Sequence, residues 1–401
     1  MPSARYAVVP RDGFFFKDGR GWYTSTSGHG HGLAWPTPPT LLGAVRTTWG
    51  RLREASTGHR FAAADWREQT ADVSLGRTVA LRRPVAAPAW EPAHRMWPAP
   101  RDAAYLATET RIQRLQPQEA SSGPVAALGR DDRDGAARER LWWPAVDALS
   151  GAKPEPSPRF WPERDFVAWL AGQPVTRHSD VERASLTPTR RIDVQVSIGA
   201  DTQTAKESAL FSSDTYETLQ SGADGPWQWS VGLEAELPDK AELHTIPWTL
   251  GGDRRLARAE PVGEGLFAPP SADALLCDWP GLRLVVVTPA CFAAGWLPDG
   301  FAADGDIYRG RLTGIDAELV LYAAFVGRPL DVSGWDMARA GGNGRVGGPK
   351  PTRRLVAPGA VYFVRKRSGE FSADEVLRLW LAAIGSGAGE GLGRIVAGGW
   401  P

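Results

Sequence analysis

A chain of 401 residues with 42% hydrophobic side chains has material for two ordinary cores, and no apolar run in it approaches the ~18 residues that cross a bilayer. Lys plus Arg and Asp plus Glu both number 46, so the overall field cannot attract a polyanion and any nucleic-acid site must be a local patch. No charged stretch followed by an apolar one opens the sequence, and Cys277 and Cys291 sit in apolar text without companion ligands, so a cytoplasmic protein with reduced core thiols, no disulfide and no metal is expected.

The predicted elements begin with a strand over residues 5–9 and an apolar burst at residues 14–16. A loop rich in Gly, Ser, Thr and His follows over residues 25–32 and carries the only close histidine pair, His29 and His31. Pro38 and Pro39 suit a first helical turn, and Leu41, Leu42, Val45, Trp49 and Leu52 recur at helical spacing, leaving Arg46, Arg51 and Arg53 to face elsewhere. Periodicity fades over residues 84–162, where Pro, Trp, Ala and scattered charge predict loops and short elements that decorate a domain.

Alternation with a period of two returns at Ile192, Val194, Val196 and Ile198, and again at Trp227, Trp229, Val231, Leu233 and Leu237. It predicts an extended antiparallel pair, with the polar stretch 199–225 projecting between its strands. Residues 282–288, 317–326 and 360–364 read as buried strands. Ser372 and Glu375 form a capping-box pattern for a helix whose apolar face is Val376, Leu377, Trp380, Leu381 and Ile384, ending at Gly385. The chain then runs through GSGAGEGLG into a short terminal strand over residues 394–397. Strand, helix, glycine-rich loop and strand make the second half of a ferredoxin-like unit.

Four features could carry chemistry. Glycines alternate at 385, 387, 389, 391 and 393 with Arg394 directly after; such a loop can bring backbone amides close to a phosphate, and a bare helix-to-strand connection is the alternative. Its order, helix before loop before strand, and the lack of Gly-Lys-Ser/Thr exclude a nucleotide P-loop. Between Asp336 and Glu370 there is no carboxylate, while Arg339, Arg345, Lys350, Arg353, Arg354, Arg365, Lys366 and Arg367 fall in the interval; phosphate contact or a solvated loop would use them. In TLGGDRR, Gly251 and Gly252 before Asp253, Arg254 and Arg255 predict a tight turn that presents guanidinium groups. His29 and His31 could act as a general base or as half of a metal site, but the sequence sets no partner near them.

Taken in order, GFFFKDGR, LAWPTPPTLLGAVRT, RIDVQVSIGADTQTAKESALFSSDTYE, IPWTLGGDRR, TPACFAAGWLPD, SGWDMARAGGNGRVGGPKPTRRLVAPGAVYFV and GSGAGEGLGRI resemble the RAMP superfamily of CRISPR proteins, and within it subunit three of the type III-B Cmr effector complex. Residues 84–162 have no counterpart in that resemblance. It implies an α+β fold of two ferredoxin-like, RRM-like RAMP domains with long loop and hairpin insertions. The expected division is residues 1–185, with the Pro/Trp-rich insertion at about 84–162, and residues 186–401, with a projecting hairpin at about 190–237 and the glycine-rich loop at 385–393. It also implies no nuclease activity, no cofactor, a grip on the repeat-derived 5′ handle of the CRISPR RNA, and a seat between the large polymerase-like subunit and the first backbone RAMP subunit. RNA contact is expected from His29, His31, Arg46, Arg254, Arg255, Arg339, Arg345, Lys350, Arg353, Arg354, Gly387, Gly389, Gly391, Gly393 and Arg394. The alternative is a RAMP endoribonuclease that processes precursor CRISPR RNA, with His29 or His31 as its base.

Overall fold

The computed structural model describes residues 3–18, 28–107, 109–119, 141–145, 153–222, 225–275, 279–305, 307–340 and 346–401. The fold is mixed α+β, rich in strands and poor in helices. In chain order the principal elements are β1 (Ser3–Pro10), α1 (Pro38–Thr57), β2 (Ser74–Pro84), α2 (Glu163–Leu170), β3 (Arg190–Ile198), β4 (Ala205–Tyr216), β5 (Gly225–Glu236), β6 (Leu256–Pro261), β7 (Gly281–Val286), β8 (Leu319–Phe325), β9 (Val361–Lys366), α3 (Ala373–Arg378) and β10 (Arg394–Trp400). No described helix is long and apolar enough to cross a membrane. Two compact units form, one from residues 1–90, 187–266 and 331–354, the other from 91–186, 267–330 and 355–401.

In the first unit β5 is central and pairs antiparallel with β2 and β1, and β1 pairs with β6. The order across the sheet is therefore β2-β5-β1-β6. The apolar stripe read from the sequence is what α1 lays on this sheet: Leu41, Leu42, Val45 and Trp49 join Val8, Val231, Leu233 and Trp248 in one core. Each such aliphatic side chain contributes roughly 1.5–3 kcal/mol when fully buried. The helix starts with Pro38 and Pro39 in its first turn and stops at Gly58, whose left-handed φ of 68° suits glycine. Charge is matched across the strands, Glu234 of β5 lying between Arg5 of β1 and Arg77 of β2 at 3.0 and 2.7 Å.

In the second unit the central strand is β7, which pairs antiparallel with β9 and β10, while β8 pairs with β9. The order β8-β9-β7-β10 repeats that of the first unit. Leu282, Leu284, Leu321, Tyr362, Val364 and Ile395 lie in its core. The stretch read as decoration supplies core here: Trp97 and Trp161 pair across two short strands, and with Trp169 of α2 all three are at most 1% exposed. The capping box forms, Ser372 Oγ accepting from the Glu375 amide and Glu375 Oε2 from the Ser372 amide at 3.3 and 2.8 Å. The helix, however, ends at Arg378 and does not reach Gly385. Leu381 takes a positive φ of 56°, which turns the chain into a two-residue strand, Ala382–Ala383, on the edge of β10. Cys291 is half-buried and unbonded to another cysteine, and Cys277 lies outside the described residues.

Candidate nucleic-acid interface

The hairpin of the first unit differs from its expectation. β3 pairs with β4, inside the stretch expected to project as a polar loop, and β5 is taken by the main sheet. Ile192, Val194, Val196 and Ile198 are 41–65% exposed, so their alternation marks a strand with an apolar outer face and no core under it. The far edge of β4 pairs in parallel with His29 and Gly30.

That pairing gives the histidines a partner that the sequence hid. His29 engages both ring nitrogens, Nδ1 at 2.7 Å from Ser212 Oγ and Nε2 at 3.0 Å from Asp214 Oδ1. His31 stands edge-on to His29 with its Nδ1 4.0 Å from Asp214 Oδ2. The ligand atoms of His29, His31 and Asp214 lie within 4.8 Å of one another, a set that could hold a metal ion. Arg190, however, already donates to Asp214 Oδ1 through Nε and Nη2 at 2.8 and 2.6 Å, and the Gly32 amide donates to Oδ2. A guanidinium in that position neutralises the carboxylate, and the cluster reads as an ion-pair network that ties the 28–32 segment to β4.

The TLGGDRR turn forms as read. Gly251 has φ 78°, and a Cβ there would lie 2.5 Å from the Phe15 carbonyl, so only glycine fits where the Gly252 amide donates to that oxygen. The two arginines divide their labour. Arg255 donates to the Gly13 carbonyl at 2.8 Å and to Asp193 at 3.1 Å, clamping the turn to the hairpin. Arg254 is exposed and makes no hydrogen bond or ion pair among the described residues. It shares an open cleft of about 670 Å³ with Arg11, Arg191, Gln195, Asp253 and Leu256, and Arg11 is likewise exposed and unpaired among the described residues.

At Asp193 the hydrogen bond from Arg191 is the largest influence; burial opposes it, Thr215 and Arg255 add to it, and the carboxyl is held well below the usual carboxylate range. A depressed folded value gives stability that is complete above the unfolded carboxylate pKa of about 4 and is lost as pH falls through the folded value. Amide exchange of β3 is therefore expected to stay constant from neutral pH down to about 4, after correction for intrinsic rates, and to accelerate below it. Acceleration already above about pH 5 would contradict this anchor.

The run that is free of acids in sequence is not so in space. Arg354 Nε lies 3.2 Å from Asp331, Arg367 Nη1 3.0 Å from Glu318 and Lys366 Nζ 2.8 Å from Glu375, and Arg365 stacks on Trp400 at 4.4 Å. Lys350 is exposed with its amine unpaired among the described residues. Arg353 is half-buried in the short strand Arg353–Leu355. Arg46 is turned inward, its guanidinium donating to the carbonyls of Val73 and Ala71 at 3.0 and 3.3 Å. Arg345 lies outside the described residues, and Arg339 is placed only as part of the strand Trp335–Ala340.

The glycine-rich loop is a shaped turn with a small open tip. Gly385, Gly387, Gly391 and Gly393 have φ between 71° and 84°, and a Cβ on Gly393 would lie 2.0 Å from the Ile384 carbonyl. Most of its amides are used internally: Ser386 on Cys291, Glu390 and Leu392 on Gly387, Gly391 on Ala388, and Gly393 on Pro289. Thr288 staples the loop, its hydroxyl accepting from the Arg394 amide and donating to the Gly391 carbonyl, both at 2.9 Å. Arg394 Nη2 donates to the Ala388 carbonyl at 3.0 Å. Among the described residues the amides of Gly387, Ala388 and Gly389 have no intrachain acceptor, and Ala388 and Gly389 are exposed.

Sequence reading missed Arg11, Asp214 and Trp335, the last 60% exposed. Only the exposed aromatic within a basic, glycine-rich stretch was a signal available in one dimension.

The comparison with known families supplies the class first: a CRISPR-associated protein. Residues 6–400, nearly the whole chain, match the family described as CRISPR-associated protein (Cas_Cmr3), and the chain belongs to that family, whose members are subunits of type III-B Cmr complexes. Two cryo-EM structures of type III-B Cmr-beta contain chains similar to it, one bound to cognate target RNA and AMPPnP (state 1) and one bound to cognate target RNA. Their TM-scores are 0.42 and 0.40, each at 12% identity over 90% of this chain and 86% of that chain. No curated protein matches the chain in sequence.

Proposed function

We propose that the chain is a non-catalytic subunit that grips the repeat-derived 5′ handle of the CRISPR RNA and bridges the large polymerase-like subunit to the first backbone RAMP subunit, working in the cytoplasm. The observation that carries the RNA contact is the tip of the glycine-rich loop, where the amides at 387–389 have no acceptor among the described residues, Ala388 and Gly389 are exposed, and the Arg394 guanidinium donates to the Ala388 carbonyl. Arg254, Arg11 and Lys350 add cations that no described carboxylate neutralises. Each unit is read as an elaborated ferredoxin-like domain; the shared strand order, with the first strand between the third and the fourth, supports that reading. Against His29 as the base of an endoribonuclease stand its two ring nitrogens, both engaged and neither left to accept a proton from a ribose hydroxyl; His31 is not held in this way, its Nδ1 lying 4.0 Å from Asp214.

The test removes one amide and no charge. Ala388 is the second residue of a turn closed by the Glu390 amide on the Gly387 carbonyl, a position that tolerates the fixed φ of proline. Ala388→Pro is expected to leave melting unchanged and to weaken handle RNA binding about tenfold, the worth of a charge-assisted hydrogen bond. The pair Arg254→Ala and Lys350→Ala is expected to flatten the log–log salt dependence by about 1.4, near 0.7 for each lost single-strand phosphate contact. Undiminished affinity and an unchanged slope in both would overturn the reading.

A further inference from the structure

Trp335 is the one Phe, Tyr or Trp that is exposed among the described residues, although the chain holds 18 tryptophans. It opens a two-stranded ribbon, Trp335–Ala340 paired with Val346–Pro349, that joins neither main sheet. More than half of the indole stays in solvent, so burial leaves most of its apolar surface unused.

One edge of the ring nevertheless packs against the ribbon. Gly347 faces it across the strands with φ 91°, and a Cβ at that position would lie 2.5 Å from Trp335 Nε1 and 3.2 Å from Cε2. The pyrrole edge of the indole therefore sits close to Gly347, where a side chain on any other residue would collide with it. The ring has no aromatic or cation partner among the described residues on its remaining surface.

Charge chooses the occupant. Beside Trp335 the backbone of Gly334 accepts from the Lys350 amide at 2.7 Å, and the Lys350 Cδ passes within 3.4 Å of where a Gly334 Cβ would be. The amine of Lys350 is exposed and unpaired among the described residues. An exposed indole with an unpaired lysine beside it on a two-stranded ribbon is the chemistry that takes single-stranded nucleic acid, the ring accepting a base face and the cation the adjoining phosphate. An apolar protein partner would instead have to desolvate the Lys350 amine, which has no partner among the described residues.

We propose that Trp335 is a stacking platform for one unpaired base of a single-stranded RNA, with Lys350 on the neighbouring phosphate. This rests on the RNA-binding reading above, and the site tolerates any base because each presents a π face.

The experiment uses the full chain and short single-stranded oligouridine and oligoadenosine. Trp335→Ala is expected to lower affinity for both about 5- to 150-fold with an unchanged salt slope, Trp335→Phe to retain most of it, and Lys350→Ala to flatten the slope by about 0.7. On the unaltered chain, bromouridine-substituted RNA is expected to photocrosslink to the peptide bearing Trp335, which keeps the test independent of how any variant folds. If the unaltered chain binds no RNA, the functional reading falls and this inference falls with it. If it binds RNA while Trp335→Ala binds equally well, or the crosslink maps elsewhere, only the platform is overturned. Loss of co-purification with a neighbouring subunit and undiminished RNA affinity in Trp335→Ala would make the patch a protein contact and likewise overturn it.

Discussion

Asp102→Asn is expected to destabilise the second unit by about 3–5 kcal/mol, the cost of leaving a buried charge without its partner. Arg283 sits in the middle of β7 between Leu282 and Leu284 and is 1% exposed; Asp102 is 0% exposed. The guanidinium donates from Nη1 to Asp102 Oδ2 at 2.6 Å, from Nε to the Gly399 carbonyl at 2.8 Å and from Nη2 to the Leu170 and Trp169 carbonyls. Asp102 Oδ1 accepts the Trp169 indole N–H at 2.9 Å, so one carboxylate satisfies a strand and a helix together. Asparagine keeps the shape and removes the charge. Nearby, Arg114 lies 3.8 Å over the Trp169 ring, its pKa lowered to about 9 by burial and then by the charge of Arg283, so losing Asp102 leaves two cations facing each other. Replacing both partners by Leu and Met should recover only part of the loss, because the carbonyls of Gly399 and Leu170 would lose the hydrogen bonds that the guanidinium gives them. Thermal or urea melting checks this, and a loss below about 1 kcal/mol would show that water or rearrangement relieves the charge.

The sequence made legible what is written locally. β1, α1 with its proline start, the strands β7, β8 and β9, and the Ser372–Glu375 box each follow from patterns within one segment. Contacts between distant segments were hidden. The aliphatic alternation of β3 looks like a half-buried strand, yet its apolar face is outside, and nothing local says whether such a face meets a core. Asp214 reaches His29 because β4 pairs with the 29–30 segment, a separation of 185 residues. The long basic run looked unneutralised because Glu318, Asp331 and Glu375 stand outside it in the chain. The site was legible in residue type and not in use: TLGGDRR predicted two presented arginines, and the fold spends Arg255 on the turn while leaving Arg254 exposed. Alternating glycines predicted an open cradle, and the fold turns the amides of Gly391 and Gly393 inward while those of Gly387 and Gly389 have no intrachain acceptor among the described residues.

Gly393→Ala is expected to lower stability by about 2–5 kcal/mol, the left-handed strain of a Cβ plus the cost of overpacking. The residue has φ 71°, its amide donates to the Pro289 carbonyl and its carbonyl accepts from Ile384, so the backbone cannot move away from the Ile384 oxygen that a Cβ would strike at 2.0 Å. Gly369→Ala is the control within the same unit: its φ of 78° imposes the same strain, but nothing lies within 4 Å of a Cβ there, and about 1–2 kcal/mol is expected. Urea midpoints of the two variants separate strain from collision. The same pair bears on RNA. If packed glycines exist to hold the tip at 387–389 in one shape, Gly393→Ala must lose RNA affinity together with stability, while Gly369→Ala keeps its affinity and Ala388→Pro loses affinity alone. RNA binding that survives Gly393→Ala would mean that the tip does not need its packed base, and the loop would then be a structural joint between Ala382–Ala383 and β10.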